Sequence, residues 1–172
     1  VAGNRQIFTQ SIWFKLTNTA DQVFISSYND ANNYNCFFLE SGNQVLQVLW
    51  KKSGSNAALL NTTRKFRDTS AWYHVVLAVD TTQGTAANRI KLYVNGVQET
   101  SFSTATYPNQ NESIEVNDNN TNQRIGALNT DTFFQGVASY VAQIDGTQEL
   151  PTVFGETDAT TGEWKIKTTI TP

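Results

Sequence analysis

Cleaving a glycosidic bond takes two carboxyl groups flanking it, about 5–5.5 Å apart for retention of configuration and further apart for inversion. Glu112 and Glu115 are the nearest approach to such a pair. Their odd spacing would point them to opposite faces of a strand, where they cannot act together. The single histidine, His74, could in principle serve as a base or a metal ligand. It sits inside the apolar run Trp72–Asp80, on one face with Trp72 and Val76, where a neutral imidazole with one hydrogen bond is an ordinary core element. Without a second histidine or a nearby cysteine, a zinc site has nothing to build on. Cys36, followed by Phe37 and Phe38, has no basic neighbour in sequence and reads as a small buried apolar residue. The chain is therefore expected not to be an enzyme.

Two chemistries remain. Calcium needs several oxygen ligands from loops, and the loops 29–33 and 117–120, with Asn129 and Asp131, could supply them. Asp30, Asp118 and Asp131 are the candidate carboxylates. Few of the neighbouring residues are charged, so Asx turns that satisfy their own backbone are the competing reading. Sugar binding would use aromatic platforms beside amides and hydroxyls. Tyr28, Asn32, Tyr34, Tyr107, Asn129 and Phe133 carry that inventory, although core packing would explain some of the aromatics equally well. Trp13 alternates against Ile12, Phe14 and Leu16, so it either packs under a loop or meets a neighbouring chain.

Positioning these groups falls to short β-branched and aromatic runs separated by Asn, Gly, Ser and Asp clusters, with no sustained 3.6-residue apolar stripe. The runs predict strands at Ser11–Leu16, Val23–Ser27, Cys36–Glu40, Val45–Trp50, Leu59–Thr63, Trp72–Asp80, Arg89–Val94, Val97–Thr100, Ile114–Val116, Arg124–Leu128 and Tyr140–Ile144. Asn95-Gly96 between two alternating runs supplies the positive φ angles of a two-residue hairpin turn. The nearly all-apolar Trp72–Asp80 should be a central strand buried on both faces. Spacing of roughly ten residues between strands argues for a two-sheet sandwich.

Composition narrows the partners. A chain of 172 residues, 39% hydrophobic, suits one domain with one core. Only 16% of residues are charged and the net charge is −3, so there is no positive field to recruit phosphate backbones or anionic lipid. Neither nucleic acid nor membrane insertion is expected. One cysteine cannot form an internal disulfide, while the neutral polar composition suits an extracellular or virion surface, a combination that assembly in a reducing cell followed by release would explain. The sequons at Asn61, Asn111 and Asn119 are expected by chance in a chain this rich in Asn and Thr. Beginning at Val1, the chain is expected to be a segment or processed product of something longer.

The segment Ser70–Asp80, containing Trp72-Tyr-His-Val75, followed by Lys91-Leu-Tyr-Val-Asn-Gly96, resembles the laminin G and pentraxin-like branch of the concanavalin A-like lectin/glucanase superfamily. The stretch Ala142–Lys167 sharpens the likeness. Its Ile144-Asp-Gly146, Phe154-Gly-Glu-Thr-Asp158 and Gly162-Glu-Trp164 are similar to the ending of laminin G-like domains in bacteriophage tail and fibre proteins. Phe66–Trp72 and Phe102–Pro108 extend the resemblance over most of the chain. Two positions depart from the family: Gln143 where an acidic residue is common, and Ile166 where a proline is. The Glu-x-Asp-x-x-Glu pattern of the superfamily's glucanases is also broken, since Glu115–Asn120 lacks the central Asp and the last Glu.

The resemblance implies an all-β fold, a two-sheet antiparallel jelly-roll sandwich over residues 1–167, with 168–172 as a tail or linker to a following module. It further implies a non-catalytic virion domain of a tail fibre or spike, assembled in the host cytoplasm and recognising host-surface carbohydrate beside other virion proteins. A homotrimer is the favoured display. The alternative is a purely structural virion module packed against neighbouring capsid or tail chains.

Overall fold

In the computed structural model, which describes residues 3–169, the chain forms thirteen strands among the described residues. They are β1 (Ile7–Leu16), β2 (Gln22–Asp30), β3 (Asn33–Glu40), β4 (Val45–Lys52), β5 (Ser55–Thr62), β6 (Trp72–Asp80), β7 (Ile90–Val94), β8 (Val97–Glu99), β9 (Phe102–Thr106), β10 (Asn122–Ile125), β11 (Gly136–Asp145), β12 (Gly155–Thr157) and β13 (Trp164–Ile166). A five-stranded sheet has the order β11-β1-β6-β7-β8 and a six-stranded sheet the order β10-β2-β3-β4-β5-β9. All their pairings are antiparallel, which makes the molecule the expected jelly-roll sandwich.

Alternation decides which face each side chain takes. Phe8, Ile12, Phe14 and Leu16 of β1 and Val75, Leu77 and Val79 of β6 point inward and are buried. They meet Phe24, Phe37, Leu39, Leu46, Val48 and Trp50 from the other sheet in one continuous core. The Phe14 and Phe24 rings stack across it at 4.2 Å. Strand β6 is buried on both faces beyond its first two residues, as its apolar run predicts. Its outer face is covered because the C-terminal segment folds back over it. A single turn at Pro151–Val153 leads into Phe154, which is buried with Val76, Ala78 and Tyr93 in a second, smaller cluster. The paired strands β12 and β13 complete this strap.

The Asn95-Gly96 turn has φ angles of 49° and 81°, both in the left-handed region that a two-residue hairpin demands. Val94 pairs with Val97 directly across it. The predicted strand Ile114–Val116 is not one. Ile114 and Val116 are both buried, which a period of two permits in an irregular segment as readily as in a strand. Instead of a strand ladder, the Ile114 N–H donates to the Arg5 carbonyl at 3.3 Å, Arg5 Nε donates to the Ile114 carbonyl at 2.6 Å, and the Glu115 N–H donates to Asn35 Oδ1 at 2.8 Å. Strand β10 begins at Asn122 and ends at Ile125, before Gly126 turns the chain with φ 77°. Of the expected linker 168–172, positions 170–172 lie outside the described residues.

Candidate functional site

Register across the six-stranded sheet builds a row that no single segment shows. Tyr28 of β2 pairs with Asn122 of β10 on one side and Tyr34 of β3 on the other; Tyr34 pairs in turn with Lys51 of β4, and Lys51 with Asn56 of β5. Directly opposed residues share a face. Their sequence neighbours Ser27 and Asn35 point inward and are buried, so the row lies on the sheet's outer face. The Tyr28 and Tyr34 rings stack at 5.9 Å with 28° between their planes. Lys51 Nζ lies 5.9 Å from the Tyr34 ring and Arg124 Cζ 5.8 Å from the Tyr28 ring. Two aromatics are thus bracketed by two cations, each drawn to a ring face by its quadrupole. Burial holds the Tyr34 phenol above its ordinary pKa, with Cys36 and Tyr28 adding to the shift.

Beside this row Tyr34 forms one wall of a cavity of about 100 Å³ whose other walls include Val23, Cys36, Phe38 and Leu128. The roof belongs to the 126–135 loop. Ser26 Oγ donates to the Ala127 carbonyl at 2.6 Å, and the Leu128 N–H donates to Thr132 at 3.0 Å. Asn129 and Asp131 lie within the turn so closed. Phe133 bridges to Ala127 and is 50% exposed. Cys36 is buried here, and burial pushes its thiol well up, so the thiolate is suppressed and the residue is a wall of the cavity.

The sequence-predicted residues therefore divide. Tyr28 and Tyr34 meet, with Asn32 in the turn that joins their strands and Asn129 and Phe133 on the loop over the adjoining cavity. Tyr107 does not join them. It follows β9, which occupies the edge of the sheet opposite β10, and packs against the main core. Lys51, Arg124, Asn56 and Asn122 were not foreseen; alternation within β4 marks Lys51 as outward, but only the strand register brings it to Tyr34.

The three carboxylates do not converge. Asp30 ends β2 and accepts the Asn32 N–H at 2.7 Å and the Asn33 amide, hydrogen bonds that hold its pKa below the ordinary value. Asp131 lies in the separate turn closed by Leu128 and Thr132, on the loop that Ser26 Oγ anchors over β2. Asp118 is paired with Arg5 at 2.6 Å and accepts the Asn120 N–H at 2.9 Å. Asp30 closes its own turn and Asp118 its own turn and ion pair, and no group of three His, Cys, Asp or Glu that could hold a metal occurs among the described residues. The two candidate catalytic glutamates are likewise separated in partnership. Glu112 pairs with Lys52, and Glu115 accepts the Thr121 hydroxyl at 3.0 Å beside Arg5. Gln143, where an acidic residue was expected, receives the Gln10 amide at 2.9 Å and donates to Asn117, tying β1, β11 and the 117 loop with an amide that both gives and accepts.

On the opposite face His74 is wholly buried and stacked on Trp13 at 4.5 Å and 11°. Trp164 Nε1 donates to His74 Nδ1 at 2.8 Å, so Nδ1 carries the lone pair and the proton sits on Nε2, 2.9 Å from Ser11 Oγ. Burial lowers the His74 pKa to about 3, keeping the ring neutral as this tautomer requires. Trp13 packs beneath the C-terminal strap, the first of its two expected placements.

These features define the class: an antiparallel lectin-type sandwich with an aromatic and amide row on one open sheet face. A family model described as the concanavalin A-like lectin/glucanases superfamily, laminin G type, matches residues 2–164, and the chain belongs to that family. Among solved structures it is similar to domain 4 of AbnA, a GH43 extracellular arabinanase from Geobacillus stearothermophilus in complex with arabinotriose (18% identity, TM-score 0.61, covering 87% of this chain and 64% of that one). It is also similar to the heptameric SAP-like pentraxin of Limulus polyphemus (15%, 0.55, 83% and 65%) and to the Ruminococcus gnavus IT-sialidase CBM40 bound to α2,3 sialyllactose (14%, 0.54, 86% and 78%). The chain thus spans slightly less than two thirds of the first two. No curated protein matches it in sequence.

Proposed function

We infer that this is a non-catalytic carbohydrate-binding domain that recognises a host-surface glycan from a bacteriophage tail fibre or spike. The observation that carries the binding reading is the row Asn122–Tyr28–Tyr34–Lys51, with Arg124 over the Tyr28 ring. The tyrosines offer apolar ring edges and phenol hydroxyls, and the amides pair with sugar hydroxyls. The two cations favour a glycan that carries carboxylates. Glu112 and Glu115, each engaged with its own cation, support a binding role over hydrolysis. The C-terminal likeness to phage tail and fibre domains supports the virion setting, where display in a homotrimer would convert weak single-site affinity into avidity.

The test is a glycan array with the isolated chain, run with and without a calcium chelator and repeated with Tyr34→Ala. Binding to acidic polysaccharides that survives chelation and is weakened about fivefold in the variant supports the reading. No binding across a panel of host-derived polysaccharides overturns it in favour of a module that only packs against neighbouring virion chains.

A further inference from the structure

The outer face of the five-stranded sheet carries a second aromatic site, built by three distant parts of the chain. Lys15 pairs with Trp72 and Trp13 with His74, which puts Trp13 and Trp72 on the same outer face of β1 and β6. Trp164 arrives from β13. Together they wall a cleft of about 450 Å³ completed by Ser139, Lys165 and Ile166. That volume falls in the roughly 300–1,000 Å³ of small-molecule sites.

The cleft is pre-organised. Trp164 is anchored by its hydrogen bond to His74 and lies flat on two glycines: a Cβ at Gly96 would stand 2.7 Å from the indole, and one at Gly155 2.5 Å. Trp13 is held by its stack on His74 and is 5% exposed. Trp72 is 43% exposed, a large apolar ring left in solvent at the rim. The Trp13 Nε1–H, although buried, has no hydrogen-bond partner among the described residues, an arrangement that costs stability in general. Lys165, the one cation of the cleft, is already neutralised by Asp158 at 2.9 Å and Glu156 at 3.7 Å.

We propose that the Trp13–Trp72–Trp164 cleft is a second saccharide site, which takes the apolar C–H face of a neutral pyranose. Flat indoles and a neutralised lysine match an uncharged ring, in contrast to the cation-flanked tyrosine row. This site stands on its own residues and does not depend on the reading of the tyrosine row.

Three of the four tryptophans line the cleft, and the fourth, Trp50, is buried in the core, so indole emission reports this site. The experiment titrates the intact chain with neutral cellotetraose and β-1,4-galactotetraose, following indole fluorescence and saturation-transfer NMR. At least one of the two should change the emission saturably, unaltered in Tyr34→Ala, weakened at least tenfold in Trp72→Ala and largely restored in Trp72→Phe. No response to either sugar overturns the proposal, as does undiminished binding in Trp72→Ala. Binding lost in Tyr34→Ala alone would place all recognition on the tyrosine row. Dimerisation by sedimentation that Trp72→Ala abolishes would assign the cleft to a second copy of the chain and also overturn it.

Discussion

The two sheets bury their inner faces against one another in the same way, yet they treat their outer faces differently. The six-stranded sheet leaves Tyr28, Tyr34, Lys51 and Arg124 open. The five-stranded sheet is roofed by the strap from Pro151 to Ile166, under which His74, Val76, Ala78 and Phe154 are buried. One face is thereby free to vary in what it touches, while the other is committed to holding the fold together. Substitutions beneath the strap should be read in stability, and substitutions on the tyrosine row in binding.

Acid is the strongest way to break this contrast. The His74 pKa drops from 6.5 unfolded to about 3 folded. The folded state therefore binds fewer protons, and the stability present above pH 6.5 is lost as pH falls toward 3. At about 1.4 kcal/mol per pH unit the total is of order 5 kcal/mol. Urea melts between pH 5.3 and 6.5, about one unit or more above the ordinary carboxylate pKa values, should show this slope in the native chain and a nearly flat line in His74→Gln. An equal slope in both would mean that the buried imidazole is not the cause. Truncating Phe154 to Ala should cost roughly 3–5 kcal/mol by opening a cavity under the strap, measured as a shift in the denaturation midpoint, with glycan binding at the tyrosine row unchanged below the transition. Gly155→Ala should cost about 1–3 kcal/mol, because the added methyl overlaps the Trp164 ring. Smallest is Tyr34→Ala, half-buried on the open face: calorimetry should show affinity falling by about 1 kcal/mol, roughly fivefold, from the lost ring contact. Its midpoint should move less than that of Gly155→Ala. The reverse order would mean that the open face, too, is structural.

What was legible from the residues follows the same division. Local chemistry suffices for the Asn95-Gly96 turn and for the buried run of β6, since each depends on neighbours in sequence. The core role of His74 was legible because one histidine in an apolar strand has little else to do. The tyrosine row was half visible: both aromatics were chosen, but their stacking depends on the bulged β2–β3 register between Tyr28 and Asp30, and Lys51 and Arg124 enter through two further pairings. Tyr107 was misplaced because an aromatic next to a proline looks the same whether its ring faces a loop or the core. Strands β12 and β13 are three residues each, too short for any period to register, and they exist because Trp164 has a socket on Gly96 and Gly155.

That socket also sets how the domain would respond to a mechanical load. Tension drawn along the C-terminal segment reaches β13 first, and β13 pairs with β12 at only three positions. The strap would peel one pair at a time, whereas the long β1–β6 ladder of nine pairs shares its load. The seam would therefore yield before the sandwich does, leaving the far sheet and its tyrosine row intact.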